Sequence, residues 1–206
     1  MDREAMDKAR GFHLPLFHSF LEKGKSQLGY MTTKILDETE SRHLMMCTLL
    51  FGNLGLKYNH IIQMGGDFGN WPRLCENIVD YKKWTIIDSS DKIELQKWFL
   101  EQELKSDYDK IEFVSINDYP KWKKNLKNAD LSISAHFLGE LPMRYFKEYY
   151  ESIIMKCKGL FFATCRNKLN VDLIQKKLIL INENFSPLGT VYIKNETITN
   201  TIFKHK

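Results

Sequence analysis

The sequence has no uninterrupted apolar run of about 18 residues, the length that a helix needs to cross a bilayer, so no membrane span is expected. Its first ten residues are charged throughout, unlike the apolar core of a signal peptide. The four cysteines lie far apart and form no Cys-x-x-Cys pair, a spacing that argues against disulfides and structural zinc. These absences favour a cytoplasmic protein.

Neither sign of charge dominates the chain. Thirty Lys and Arg against 26 Asp and Glu leave a formal net charge of +4, with both signs interspersed. This mild excess permits an anionic ligand, but it does not call for nucleic acid, which we do not expect as a partner. With 206 residues, 43% of them apolar, the chain can form one domain with a substantial core. No sequence pattern indicates an oligomeric state.

From about residue 60 onward, short apolar runs alternate with segments of helical periodicity. Strands are predicted at 60–64, 84–87, 111–115, 131–134 and 160–164, and helices at 37–51, 71–79, 90–104 and 142–156. Residues 171–177 read as a short helix, 178–181 as a strand, and 190–194 and 197–203 as late alternating strands. This order predicts an α/β fold with a mostly parallel sheet of about seven strands and a C-terminal antiparallel hairpin.

A glycine turn follows the first predicted strand. In Gly65-Gly66-Asp67-Phe68-Gly69, the glycines let the backbone turn sharply and approach a ligand. Asp88, followed by Ser89, ends the second predicted strand, where a carboxylate accepts hydrogen bonds from ribose hydroxyls. Together they predict a nucleoside cofactor site. The alternatives are an ordinary strand-to-helix connection for the turn and a helix cap for Asp88.

Asp67 narrows the choice of cofactor. An acid in the turn would repel a pyrophosphate, whereas it suits S-adenosylmethionine, which carries an amino group and a sulfonium. The GxGxxG spacing of NAD sites is also absent from this sequence.

The segments IIQMGGDFGNWPRL, WTIIDSSDKIELQKWFL and ADLSISAHFLGELP resemble the sugar O-methyltransferases of the class I S-adenosylmethionine-dependent superfamily. The resemblance covers about residues 58–165 and rests on Gly66 and Gly69, on Asp88 and on residues 134–141. It implies a Rossmann-like sheet with helices on both faces. It also implies S-adenosylmethionine as cofactor and a hydroxyl of a sugar or nucleotide sugar as the methyl acceptor. We assign residues 59–206 to this domain and 1–58 to an N-terminal helical arm or lid. If the arm is a lid, His13 and His18 would reach the substrate.

The chain departs from the family pattern in the first motif. The acid that ends strand one is Gln63 here, the third glycine is Asp67 and the last is Asn70. Asp67 could replace the acid that holds the cofactor's amino end. The alternatives are a degenerate, non-catalytic binding protein of the same fold and a NAD-dependent sugar-modifying oxidoreductase.

The resemblance places the transferable methyl near the end of strand four. There His136 is predicted as the catalytic base, because a neutral imidazole accepts a proton near neutral pH. Glu140, four residues on, is predicted as its partner or substitute. The predicted cofactor-binding residues are Gln63, Gly65, Gly66, Asp67, Phe68, Gly69, Asp88, Ser89, Ile116, Asn117 and Ser134. Ile116 and Asn117 are assigned to the adenine by position alone, and no acidic or histidine cluster with metal-ligand spacing predicts a metal site.

Overall fold

A computed structural model of the chain describes residues 19, 38–104, 107–165, 171–193 and 198–206. The strands are β1 Lys57–Met64, β2 Asp80–Asp88, β3 Ile111–Ser115, β4 Ala129–Ala135, β5 Cys157–Cys165, β6 Phe185–Ile193 and β7 Ile198–His205. The helices are α1 Glu38–Leu54, α2 Asn70–Cys75, α3 Ser90–Glu103, α4 Tyr119–Trp122, α5 Phe137–Glu140, α6 Met143–Ser152 and α7 Val171–Asn184. Short 3-10 turns occupy Tyr108–Lys110, Lys123–Asn125 and Ile154–Lys156.

All seven strands form one sheet in the order β3-β2-β1-β4-β5-β7-β6. β1 to β5 are parallel to one another, while β7 runs antiparallel between β5 and β6. The predicted parallel sheet with a C-terminal antiparallel hairpin is therefore confirmed. The strand order reverses between β1 and β4, and such a reversal opens a crevice at the carboxyl ends of the strands.

Both faces of the sheet are covered by helices, as predicted. Neighbouring strand residues point to opposite faces, so Ile61 belongs to the core under α1, α2 and α3, and Ile62 to the core under α6 and α7. Because both faces are buried, the strands read in sequence as continuous apolar runs. This double burial explains why short apolar runs located β1 to β5 correctly.

The prediction of a strand over 178–181 is wrong. α7 continues unbroken through this segment and buries Ile174, Lys177 and Ile181, which recur at helical spacing. Ile179 is 65% exposed, because only one face of the helix packs against the sheet. An apolar run of four residues fits a helix or a strand equally well, and here the helical spacing of the flanking buried residues decides.

Most of the proposed N-terminal arm, including His13 and His18, lies outside the described residues. Its described part includes α1, whose residues 44–51 are buried against the sheet and α2. Within the described ranges, no helix is both long and apolar enough to cross a membrane.

Candidate functional site

A cavity of about 260 Å³ opens at the carboxyl ends of β1 and β4, where the strand order reverses. Its lining residues are His43, Gln63, Gly65, Asp67, Trp71, Ala135, His136, Phe137 and Glu140. The structure thus brings the glycine turn and the segment after β4 together, although they are some 70 residues apart in sequence. Gln63, Gly65, Asp67, His136 and Glu140 are all residues that the sequence singles out.

The glycine turn is closely packed by the protein itself. A Cβ built on Gly65 would lie 2.6 Å from the Cβ of Phe137, and one on Gly66 would lie 2.5 Å from Cγ2 of Ile86. Gly65 also has a φ of 76°, in the left-handed region that favours glycine. Both glycines are therefore required by the fold, and their proposed contact with a cofactor stays a prediction.

The Asp88 carboxylate is anchored to this turn. Its Oδ2 accepts hydrogen bonds from the backbone nitrogen of Gly66 and from Nε2 of Gln96, both at 2.9 Å. Its Oδ1 accepts one from the backbone nitrogen of Ser89 at 2.8 Å. A carboxylate offers about four acceptor positions, so one remains for a ligand. The side chain is 9% exposed, and it links β2 to the glycine turn instead of capping α3 alone.

Gln96 is a site residue that sequence reasoning missed. Its Nε2 also donates to the carbonyl oxygen of Asp67 at 2.7 Å, so one amide group ties α3 to both the turn and Asp88. A signal was present, because Gln96 lies between Ile93 and Leu100 on the buried face of α3. The Asp67 carboxylate itself is exposed near Lys92, with Nζ and Oδ1 3.8 Å apart.

The segment after β4 begins with a residue, His136, in an unusual backbone conformation. His136 has φ 75° and ψ −39°, close to the positive-φ γ-turn that is rare and strained for any residue with a side chain. Its backbone nitrogen donates to the carbonyl oxygen of Ala163 at 2.9 Å, and its carbonyl accepts from the nitrogen of Glu140 at 3.2 Å. The next turn therefore presents both His136 and Glu140 to the cavity, as their spacing predicts.

Ser134 has a different position from the other predicted residues. It is fully buried, and its hydroxyl oxygen accepts a hydrogen bond from the backbone nitrogen of Leu138 at 2.9 Å. The hydroxyl thus supports the start of α5.

Phe68 packs edge-on against Phe99 of α3, with ring centroids 5.6 Å apart. Neither Ser134 nor Phe68 lines the cavity, and their contact with a cofactor stays a prediction.

The carboxyl ends of β2 and β3 form the part of the sheet edge that lies next to the cavity. The backbone nitrogen of Ile116 donates to the carbonyl oxygen of Asp88 at 2.9 Å, and the Ile116 side chain is exposed. The Asn117 amide lies 3.4 Å from the hydroxyl oxygen of Ser90. The structure therefore brings Ser89, Ile116 and Asn117 beside Asp88, outside the cavity lining.

Two aromatic residues of the cavity were missed by sequence reasoning. His43 comes from α1 and Trp71 from α2, with ring centroids 6.1 Å apart. The Trp71 indole N–H is buried and finds no hydrogen-bond partner in the part of the chain that the structure describes. A buried donor without a partner is costly, so it marks a place where a ligand acceptor would be favoured.

Tyr149 lies beneath the segment after β4, stacked on Tyr119 with centroids 4.7 Å apart and edge-on to Phe137 at 5.6 Å. Burial raises its pKa to about 12, and the negative charges of Glu148 and Asp88 add to this effect. The phenol is thus neutral at physiological pH. Among the described residues, no group of three or more His, Cys, Asp or Glu side chains could hold a metal ion.

Neither a model of a known protein family nor a curated protein sequence matches the chain. Solved structures do match. TrmK of M. capricolum, solved with S-adenosyl-homocysteine, is 12% identical with a TM-score of 0.58, covering 84% of this chain and 70% of its own. The 16S rRNA methylase ArmA is 12% identical with a TM-score of 0.57, over 89% and 98% of the two chains. The mitomycin 7-O-methyltransferase MmcR is 11% identical with a TM-score of 0.55, over 95% and 68%.

At such low identity these likenesses establish the fold. The chain has the Rossmann-like fold of the S-adenosylmethionine-dependent methyltransferases, which confirms that part of the resemblance found in the sequence. What each of these proteins binds or modifies is a property of that protein.

Proposed function

We propose that the protein is an S-adenosylmethionine-dependent methyltransferase. One observation carries the proposal: the glycine turn, the buried Asp88 carboxylate and the His136–Glu140 turn meet at the carboxyl edge of a methyltransferase-like sheet. This edge is where open α/β sheets bind their ligands. A NAD-dependent oxidoreductase would require a different glycine spacing in the first turn.

The residues present fit the cofactor at both of its ends. At the nucleoside end, Asp88 keeps one acceptor position for a ribose hydroxyl, and the exposed Ile116 side chain offers an apolar contact for a base. At the amino-acid end, the Asp67 carboxylate suits an amino group, and the Trp71 N–H, which has no partner among the described residues, suits a carboxylate. When bound, S-adenosylmethionine supplies an electrophilic methyl group.

His136 and Glu140 would handle the proton of the acceptor. A neutral imidazole at this edge accepts the proton of a hydroxyl as the oxygen becomes nucleophilic. Glu140 lies on the same turn and lines the same cavity, so it would orient the imidazole or stabilise its protonated form. Gln63, which replaces the acid of the family pattern, is held by the indole of Trp84, whose Nε1 donates to Oε1 at 3.1 Å.

The acceptor that we propose is a hydroxyl of a sugar or nucleotide sugar. Its support is the sequence resemblance over residues 134–141 together with the two imidazoles, His43 and His136, that share the cavity. RNA is included in the test as the alternative methyl acceptor, because proteins that share the fold include an rRNA methylase.

Calorimetry with S-adenosyl-homocysteine and with NAD⁺ tests the cofactor. We expect the first to bind in the micromolar range and the second to give no heat. A response to NAD⁺ alone would assign the protein to the oxidoreductases. If neither ligand gives a heat of binding, a degenerate, non-catalytic protein of the same fold would be favoured.

Transfer of a radiolabelled methyl group tests the acceptor. The protein is incubated with labelled S-adenosylmethionine and, separately, free sugars, nucleotide sugars or total RNA. We expect label in a sugar-containing fraction. Label in RNA alone would overturn the proposed acceptor and leave the enzyme class intact.

A further inference from the structure

Lys177 is a buried charge that the proposed chemistry does not use. It lies on α7, and its side chain has no solvent exposure. Its Nζ donates hydrogen bonds to the carbonyl oxygens of Leu138, Gly139 and Leu141 at 2.8, 2.7 and 2.6 Å. An ammonium has three donors, so all of them go to the main chain of one segment, residues 136–141.

The surroundings compensate for the burial of this charge. The carbonyl groups at the end of a helix have no partner within it and carry partial negative charge, and α5 ends within this segment. The Phe146 ring centroid lies 5.4 Å from Nζ, within cation–π distance. Burial lowers the pKa of Lys177 to about 8, while the charge of Glu140 opposes that shift, so the ammonium is largely charged at neutral pH.

Packing alone does not require a charge here. A buried ion pair can often be replaced as a whole by apolar residues without loss of stability. Here the acceptors are three main-chain carbonyls, which no substitution removes, so loss of Lys177 would leave them without this donor. The Lys177 ammonium therefore points to a role other than filling space under α6. Its three acceptors identify that role, because they belong to the segment that forms one wall of the cavity.

The segment it holds carries three side chains of the cavity wall. His136 enters it in a strained conformation, Phe137 packs on Gly65, and Glu140 ends α5. A strained residue keeps its conformation only where its surroundings fix it. From a helix far along the chain, Lys177 supplies three hydrogen bonds to the residues that directly follow His136.

We propose that Lys177 is a positioning residue: its ammonium holds residues 136–141 in the conformation that places His136, Phe137 and Glu140 in the cavity. Any effect on turnover rests on the proposed function. The effect on the segment itself does not depend on it.

The test compares Lys177→Met with Ile181→Ala, a control on the same buried face of α7 whose apolar side chain cannot donate a hydrogen bond to the three carbonyls. Amide hydrogen exchange is measured over the whole chain, and the ring signals of His136 are followed by NMR. In Lys177→Met we expect a folded protein whose residues 137–141 exchange at least about tenfold faster, since three charge-assisted bonds are lost, while the sheet stays protected. The His136 ring signals should shift or broaden. In Ile181→Ala, exchange should rise over α7 and the sheet without singling out residues 137–141.

Binding of S-adenosyl-homocysteine provides a second measurement. We expect about tenfold weaker binding for Lys177→Met than for Ile181→Ala at equal fractions of folded protein, because only the first loosens the cavity wall. If the wild type does not bind, the proposed function fails, and the exchange data still decide the role of Lys177. Unchanged exchange over 137–141, or equal changes in both variants, would overturn the proposal. Should Lys177→Met not fold, Lys177→Gln replaces it, and failure of both to fold would assign Lys177 to the fold alone.

Discussion

The backbone nitrogen of Gly66 donates a hydrogen bond to Oδ2 of Asp88 over 2.9 Å, which joins the turn after β1 to the end of β2. The same oxygen accepts from Gln96. The carboxylate that would meet a ribose is thus also the group that shapes the glycine turn. Substitutions at Asp88 therefore act on ligand binding and on the turn together.

Asp88→Asn should lower both stability and cofactor affinity. An amide has one acceptor oxygen, so its NH2 group must face either Gly66 and Gln96 or the backbone nitrogen of Ser89, all of which donate to the carboxylate. We therefore expect a loss of about 1.5–3 kcal/mol in the free energy of unfolding. Urea denaturation and calorimetry with S-adenosyl-homocysteine measure the two effects. Asp91→Asn, at an exposed position in the first turn of α3, is the control, which should leave affinity unchanged and lower stability by less than about 1 kcal/mol. If Asp88→Asn lost binding of S-adenosyl-homocysteine but kept the stability of the wild type, the carboxylate would contribute to ligand binding and not to the turn.

Gly66→Ala should destabilise the fold before any ligand is added. Its Cβ would meet Ile86 and Gln96 at 2.5 and 2.7 Å, and overpacking of this kind typically costs about 1–3 kcal/mol. Gly189→Ala is the matched control, because a Cβ there meets nothing within 4 Å. Urea denaturation of both variants is the measurement. Equal stability of the two variants would mean that the turn adapts to a side chain.

The strands, and the positions of the glycine turn and of Asp88 at strand ends, could be predicted because their signals are local. A buried parallel strand is an apolar run, and the glycine turn and Asp88 directly follow such runs. β3 was located to the residue, at Ile111–Ser115. The alternating pattern of residues 190–203 was enough to identify the closing hairpin.

Residues that join the candidate site from helices distant in sequence could not be predicted, because no local sequence pattern marks them. His43 reaches the cavity only through the packing of α1. Lys177 reaches the carbonyl of Leu138, behind the cavity wall, only through the packing of α7. In α3, the large apolar side chain of Trp98 is 64% exposed. Residue type alone does not tell which side of a helix meets the sheet.

His136→Gly should be more stable than His136→Ala. Glycine adopts a φ of 75° without strain, so we expect it to exceed alanine by about 1 kcal/mol in the free energy of unfolding. Both variants lack the imidazole, and both should transfer methyl groups about 10²–10⁴-fold more slowly than the wild type. Denaturation and methyl-transfer assays are the measurements. Turnover at the wild-type rate would remove His136 from the catalytic role.

Trp71→Phe should weaken cofactor binding by more than its effect on stability explains. The variant removes an indole N–H that has no partner among the described residues and keeps an aromatic ring against Phe161, whose centroid lies 5.4 Å away. Because Trp71 is buried, the smaller ring leaves a cavity that lowers stability, so affinities are compared at equal fractions of folded protein. Loss of one hydrogen bond to a charged group predicts roughly a tenfold or greater decrease in affinity for S-adenosyl-homocysteine. Calorimetry and a thermal melt measure the two quantities. Unchanged affinity would place the indole outside the contact with the cofactor.

The pH dependence of stability should reveal the lowered pKa of Lys177. Its pKa falls from 10.5 to about 8 in the folded protein, so between these values the unfolded chain binds more protons than the folded one. The free energy of unfolding of the wild type, relative to Lys177→Met, should therefore rise from pH 8 to 10.5 and be flat below pH 8. Denaturation of both proteins at several pH values measures the difference. A constant difference would mean that the lysine titrates normally.

The place of β7 in the sheet has a consequence for biosynthesis. β5 and β6 do not pair with each other, because β7 lies between them, and β7 follows both along the chain. A nascent chain that has left the ribosome only as far as residue 193 therefore presents β5 as an open edge, and β6 has no partner strand. Open edges of this kind pair readily with other chains. Translation thus exposes an association-prone edge just before residues 198–205 emerge, and chaperones would have to shield the chain during that interval.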